Sequence, residues 1–110
     1  MPALTNIVAA AVISLAATTA KPPENSGADI CTALGVLAQQ AMLARQAGVP
    51  MSTLLGMVRS EPAGFAEVAR SIVIAAYETP RFSTPTVQRR AAEDHRDWAE
   101  RECFAGLRDG

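Results

Sequence analysis

Residues 29–50 read DICTALGVLAQQAMLARQAGVP, and this stretch decides the fold. Ile30, Leu34, Leu37, Ala41 and Ala44 follow the i, i+4, i+7 pattern, with Ala38 and Met42 widening the stripe. That is the helical period, so Asp29 to Ala47 is predicted to form an amphipathic helix. Asp29, or Ser26 just upstream, supplies a cap. Gly48 stands where a helix closes on a residue in the left-handed conformation, and Pro50 blocks continuation.

Further along the chain, Ser52 reads as the N-cap of a short helix, Thr53 to Arg59, presenting Leu54, Leu55 and Val58. Ser60-Glu61-Pro62 restarts the chain, since proline is tolerated only in a first helical turn. A third helix follows, from Pro62 or Gly64 to about Glu78. Its segment 65–77, FAEVARSIVIAAY, is apolar nearly all round, as expected of a central buried helix. Ser71 to Ala75 also fits a strand, but alanines on both sides favour helix. Thr79 to Ser83 is a linker, with Pro80 ending the helix. Thr84 is a good N-cap, and Pro85 a good first residue, for a last helix running roughly to Leu107. There Arg90–Asp94, Arg96–Glu100 and Asp97–Arg101 fall four apart, giving one solvated face. Ala91, Ala92, His95, Trp98, Ala99 and Cys103 lie on or beside the other. The fold class is all-α: a small four-helix bundle, orthogonal or up-down.

Toward the other end, residues 1–20 carry no charge, whereas residues 81–110 hold 12 of the 21 charged side chains. Ile7 to Ala17 (IVAAAVISLAA) is an apolar run broken only by Ser14. It is too short for about 30 Å of hydrocarbon, which needs about 20 residues. It does fit the apolar region of a secretory signal, followed by small Thr18-Thr19-Ala20 and then polar residues. No Lys or Arg precedes it, so an N-terminal helix packed on the core, or an apolar tail, is the alternative. The expected organisation is a signal-like segment 1–20, a linker 21–28, one helical domain 29–107 and a tail 108–110. On this reading the mature protein starts near Lys21, keeps no stable membrane span, and is periplasmic or secreted.

Cys31 and Cys103 are the chain's two cysteines. Two cysteines do not build a zinc site unaided, and His95 completes no recognised ligand spacing. In an exported protein they form one disulfide, closing a loop of about 70 residues and stabilising by roughly 4 kcal/mol in the chain-entropy model. Two unrelated buried thiols in a cytosolic protein is the alternative. If the first and last helices pack antiparallel, both thiols reach the same end of the bundle.

The remaining composition mainly excludes. A chain of 110 residues is one domain. A net charge of −1 provides no basic field, which argues against nucleic acid as a partner. No metal, phosphate or nucleophile motif appears, and no cofactor is implied. A Cys103–His95 dyad fails on distance, because eight residues of helix rise about 12 Å. Glu93, Asp94, Asp97, Glu100 and Glu102 are interleaved with Arg90, Arg96 and Arg101, which reads as a solvated face. His95 beside Asp94 fits a pH-responsive group or, more blandly, a surface or boundary histidine. Met42, Met51 and Met57 read as core or boundary fillers. Four residues stand out as interaction candidates: Arg45 and Gln46 at a helix end, Tyr77 and Trp98. Each has a bland counterpart. Arg45 also complements the helix dipole, Tyr77 reads as a boundary residue with its hydroxyl outward, and Trp98 as the main bulky contact of the last helix.

Over about residues 28–105 the chain resembles a loose group of small uncharacterised bacterial and prophage-encoded secreted proteins. The shared elements are a signal-like start, a cysteine opening a helix (Cys31), an Arg-Gln-x-Gly helix end (Arg45 to Gly48), an Ala-Tyr-x-x-Pro helix end (Ala76 to Pro80) and a late cysteine (Cys103). The resemblance implies a small helical extracytoplasmic domain and transfers no activity. An architectural likeness to periplasmic acid-stress chaperones also exists, although many alanines and a balanced charge set this chain apart from a chaperone that opens on acidification. The expected function is binding of a protein partner, as an interaction or inhibitor-type module without catalysis. A pH-responsive chaperone and an accessory subunit of an enzyme are the alternatives.

Overall fold

The computed structural model describes residues 27–109, as four α-helices with no strand among them: α1 (Gly27–Ala47), α2 (Met51–Val58), α3 (Ala63–Tyr77) and α4 (Pro85–Asp109). The apolar run 7–17 and the possible cap Ser26 lie outside the described residues. The chain is a small helical bundle stapled by one disulfide. Cys31 and Cys103 are bonded, with Cα atoms 5.4 Å apart.

The helix expected to be central is not. α1 holds that position, packing most extensively along α4 and also on α3, while α2 packs chiefly on α3. The apolar α3 buries Ala69, Ile72, Val73 and Ala76 but leaves Val68 and Ile74 exposed. A helix that is apolar all round is buried only on the sides its neighbours cover, and here α1 and α2 leave part of α3 to solvent.

α1 and α4 run antiparallel in a regular register. Gly27 lies under Leu107, Cys31 is bonded to Cys103, Gly35 lies under Glu100, and Gln39 Oε1 accepts from Arg96 Nη1 at 2.9 Å. Positions four apart on α1 thus meet positions three or four apart on α4. This register rotates the buried stripe of α1 to Cys31, Leu34, Gly35, Ala38, Ala41 and Met42, and leaves the predicted core residue Ile30 exposed. Much of the buried apolar set is alanine (Ala38, Ala41, Ala69, Ala76, Ala92 and Ala99). Small residues let helix axes come close, but they bury little area each.

Gly35 is where that approach is tightest. A Cβ added there would stand 2.6 Å from Glu100 Cγ, so Glu100 would have to move away from its ion pair with Arg96 (3.4 Å). Gly35→Ala is therefore expected to realise the helix-propensity gain of about 1 kcal/mol only after Glu100→Ala has cleared the space. In the unaltered background the variant is expected to be no more stable than the parent. Urea unfolding of the four proteins of this cycle checks the coupling, and equal effects in both backgrounds overturn it.

Helix punctuation follows the sequence with two shifts at helix starts, the first being that α1 begins at Gly27, which places Asp29 inside its first turn and not at its cap. Gly48 adopts φ +85°. Its N–H bonds Arg45 O at 3.1 Å, and the Val49 N–H bonds Ala44 O at 2.9 Å, the paired bonds of a Schellman close. Thr84 caps α4 as expected, through Val87 N–H to Thr84 Oγ1 at 3.4 Å. α2, however, starts at Met51 with Pro50 as its cap residue, not at Thr53 with Ser52. Pro50 is extended, and its carbonyl accepts the Thr53 N–H at 3.1 Å, so the first turn closes before Ser52 can cap it. Of the three charge pairs expected on α4, only Arg96–Glu100 closes as an ion pair.

Candidate functional site

Of the four residues singled out by sequence, Arg45, Gln46 and Tyr77 gather around the C-terminal end of α1 and the linker that enters α4, while Trp98 lies further along α4, against the cluster of Leu34, Ala38, Ile72 and Ala99. The linker, residues 78–84, has no regular structure, and its backbone polar groups need partners from elsewhere. α1 and α4 supply them. Arg45 Nε donates to Thr79 O at 2.9 Å. The Gln46 amide Nε2 donates to Pro80 O at 2.9 Å, and its Oε1 accepts the Phe82 N–H at 2.7 Å. Arg81 Nε reaches back to Gln46 O at 3.3 Å, and Gln88 Nε2 donates to Phe82 O at 2.7 Å.

Arg45 and Gln46 thus clamp the linker onto α1. Gln46 is only 3% exposed, and Arg45 bonds a carbonyl of the linker, not of its own helix end. Tyr77 corrects the expectation of an outward hydroxyl: its Oη donates to Val49 O at 2.6 Å, with the Arg45 guanidinium 5.4 Å from its ring centroid. The two helix ends that sequence reads separately, Arg45 to Gly48 and Ala76 to Pro80, bond to each other. No signal in the sequence pairs them, since both look like ordinary helix termination.

Burial raises the Tyr77 hydroxyl above its ordinary value of 10.0, with Arg45 pulling the other way. The fold therefore favours the neutral phenol, the form that can donate to Val49. A raised folded-state value contributes stability that is fully present below the unfolded pKa and is lost as pH rises through the folded one. Wild type is expected to be more stable than Tyr77→Phe by about 1 kcal/mol near neutrality. That margin should shrink above about pH 10. Urea unfolding at neutral and strongly alkaline pH measures it, and a margin independent of pH refutes the assignment.

Beside the clamp, the linker and α4 border an open groove of about 360 Å³. Met42, Phe82, Ala91 and Trp98 form its apolar lining, Val87 its lip, and Arg90 and Asp94 its charged rim. Trp98 stacks on His95 with ring centroids 5.1 Å apart and planes 15° from parallel. His95 is not the surface or boundary residue expected: it is 8% exposed, and its Nε2 lies 3.0 Å from Ile72 O. A carbonyl only accepts, so Nε2 donates, and the histidine ties α4 to α3 while supporting the Trp98 ring. Met42 is buried as expected, but Met51 and Met57 are exposed, Met57 at 65%.

The chemistry available in this groove is recognition of an apolar side chain against Trp98 and Phe82, oriented by one positive and one negative rim group. Both cysteines are held in the disulfide. Among the described residues no group of three or more His, Cys, Asp or Glu is placed to hold a metal ion, and no helix is long and apolar enough to cross a membrane. Comparison with protein-family models, curated proteins and solved structures finds no match to this chain.

Proposed function

We propose that this chain is an extracytoplasmic helical binding module that recognises a protein partner through the Trp98 groove and carries out no catalysis. The observation that carries the reading is the groove itself. It is a recess lined by Trp98 and Phe82 and built by a clamp whose polar groups are spent on holding the linker. A part-exposed aromatic in a preorganised pocket is the usual anchor of a protein interface. The disulfide is compatible with an oxidising compartment, and the signal-like segment 1–20 supports export. N-terminal sequencing of protein exported from a bacterial host is expected to begin near Lys21, and an intact Met1 there overturns the export half of the reading.

Binding is tested by affinity capture from the extracytoplasmic fraction, comparing wild type with Val87→Glu. Val87 is exposed and is the third residue of α4. A glutamate there completes a capping box with Thr84, so the variant is expected to fold at least as well as wild type. A partner retained by wild type should be lost by Val87→Glu. Equal retention by both proteins, or none by either, overturns the reading.

A further inference from the structure

α2 stands apart from the clamp. Its sequence MSTLLGMV carries no charge, it packs chiefly on α3, and it leaves Met51 and Met57 exposed. Between α2 and α3 lies a second, open groove of about 650 Å³. Leu55, Gly56, Val58 and Ala66 line its apolar part, and Arg59, Arg70 and Glu67 its charged part. Arg59 follows the end of α2 and Arg70 lies in α3, so the two guanidiniums come from different helices. Neither has a hydrogen-bond or ion-pair partner among the described residues, and with Glu67 the groove keeps an excess of one positive charge. Gly56 holds it open: a Cβ there meets nothing nearer than Arg59 Nη2 at 3.7 Å.

We propose that this α2–α3 groove is a second interaction surface, which takes an apolar peptide segment bearing carboxylates. The apolar lining receives the segment's aliphatic side chains, and Arg59 and Arg70 pair with its acidic groups. Charge complementarity selects this occupant. Two unpaired guanidiniums beside an apolar recess match carboxylates, which they can engage through two parallel N–H donors each. This inference rests on the reading of the chain as a binding module, and it locates a surface of that module distinct from the Trp98 groove.

The probe is a fluorescein-labelled helical dodecapeptide with two leucines four residues apart and glutamates flanking them, together with a twin in which lysines replace the glutamates. Fluorescence anisotropy is expected to show wild type binding the glutamate peptide at least tenfold more tightly than the lysine twin, with the preference weakening as salt rises. Arg59→Glu combined with Arg70→Glu should reverse the preference. Gly56→Phe, which fills the groove in open space, should abolish binding of both peptides while circular dichroism and thermal unfolding stay those of a folded helical protein. Equal affinity for the two peptides, no binding of either, or unchanged binding by Gly56→Phe overturns the proposal. The capture experiment separates the two readings. A partner that Gly56→Phe retains and Val87→Glu loses leaves the binding module standing and removes this groove from it.

Discussion

Replacing both Cys31 and Cys103 by alanine is expected to lower the stability of this protein by about 4 kcal/mol. The bond spans 72 positions, nearly the whole described domain, so it removes much of the loop-closure entropy of the unfolded chain. The loss weighs heavily because the core is thin. Its largest fully buried side chains are Val73 and Cys31, and most of the other buried apolar positions are alanine. Against a total of about 5–15 kcal/mol for a folded protein, the variant is expected to be marginal. Alanine is chosen because Cys31 is fully buried, and serine would add an unsatisfied hydroxyl. Urea unfolding with and without reductant is the measurement: reductant should lower the wild-type midpoint and leave the variant's unchanged. A loss below about 1 kcal/mol would show that α1 and α4 hold together by packing alone.

The second large effect is expected at Gln46. Gln46→Leu keeps the approximate volume but strands the Phe82 N–H and the Pro80 carbonyl that the amide serves at 2.7 and 2.9 Å. Both bonds are part-buried and Pro80 is exposed, so water takes up some of the loss; at about 1 kcal/mol for each bond, a total near 2 kcal/mol is expected. The damage should be local as well as global, because the linker loses the group that pins it. Amide hydrogen exchange at Phe82 is expected to speed up well before exchange in α1 or α3 changes. A loss under about 1 kcal/mol with Phe82 still protected would mean that Arg45 and Gln88 hold the linker without the glutamine.

Much of this molecule is legible along the chain because helix ends are local events. Gly48 followed by Pro50 stops α1, and Thr84 followed by Pro85 starts α4, through bonds within a few residues of each signal. The disulfide is legible as well, since antiparallel first and last helices bring Cys31 and Cys103 to one end. Positions whose environment is made by another helix are less so. Ile30 obeys the helical period but faces out, because the register that bonds Cys31 to Cys103 rotates α1. Arg45, Gln46 and Tyr77 were singled out for their position, yet their partners (Thr79, Pro80, Phe82 and Val49) lie about 30 residues away, and no periodicity carries that information.

By itself, then, the sequence determined an all-α chain with its turns, its solvated α4 face and its cysteine pair. Hydrophobic period, glycine and proline act within one or two helical turns, and the cysteines follow from chain order. Only the tertiary structure decided that α1, not the more apolar α3, is central, that His95 is buried under Trp98, and that two helix ends join to clamp a linker and shape a groove. Those outcomes depend on which faces meet when helices pack. Small residues such as Gly35 and Ala38 set that choice by allowing close approach, an effect that appears only once the opposing helix is in place.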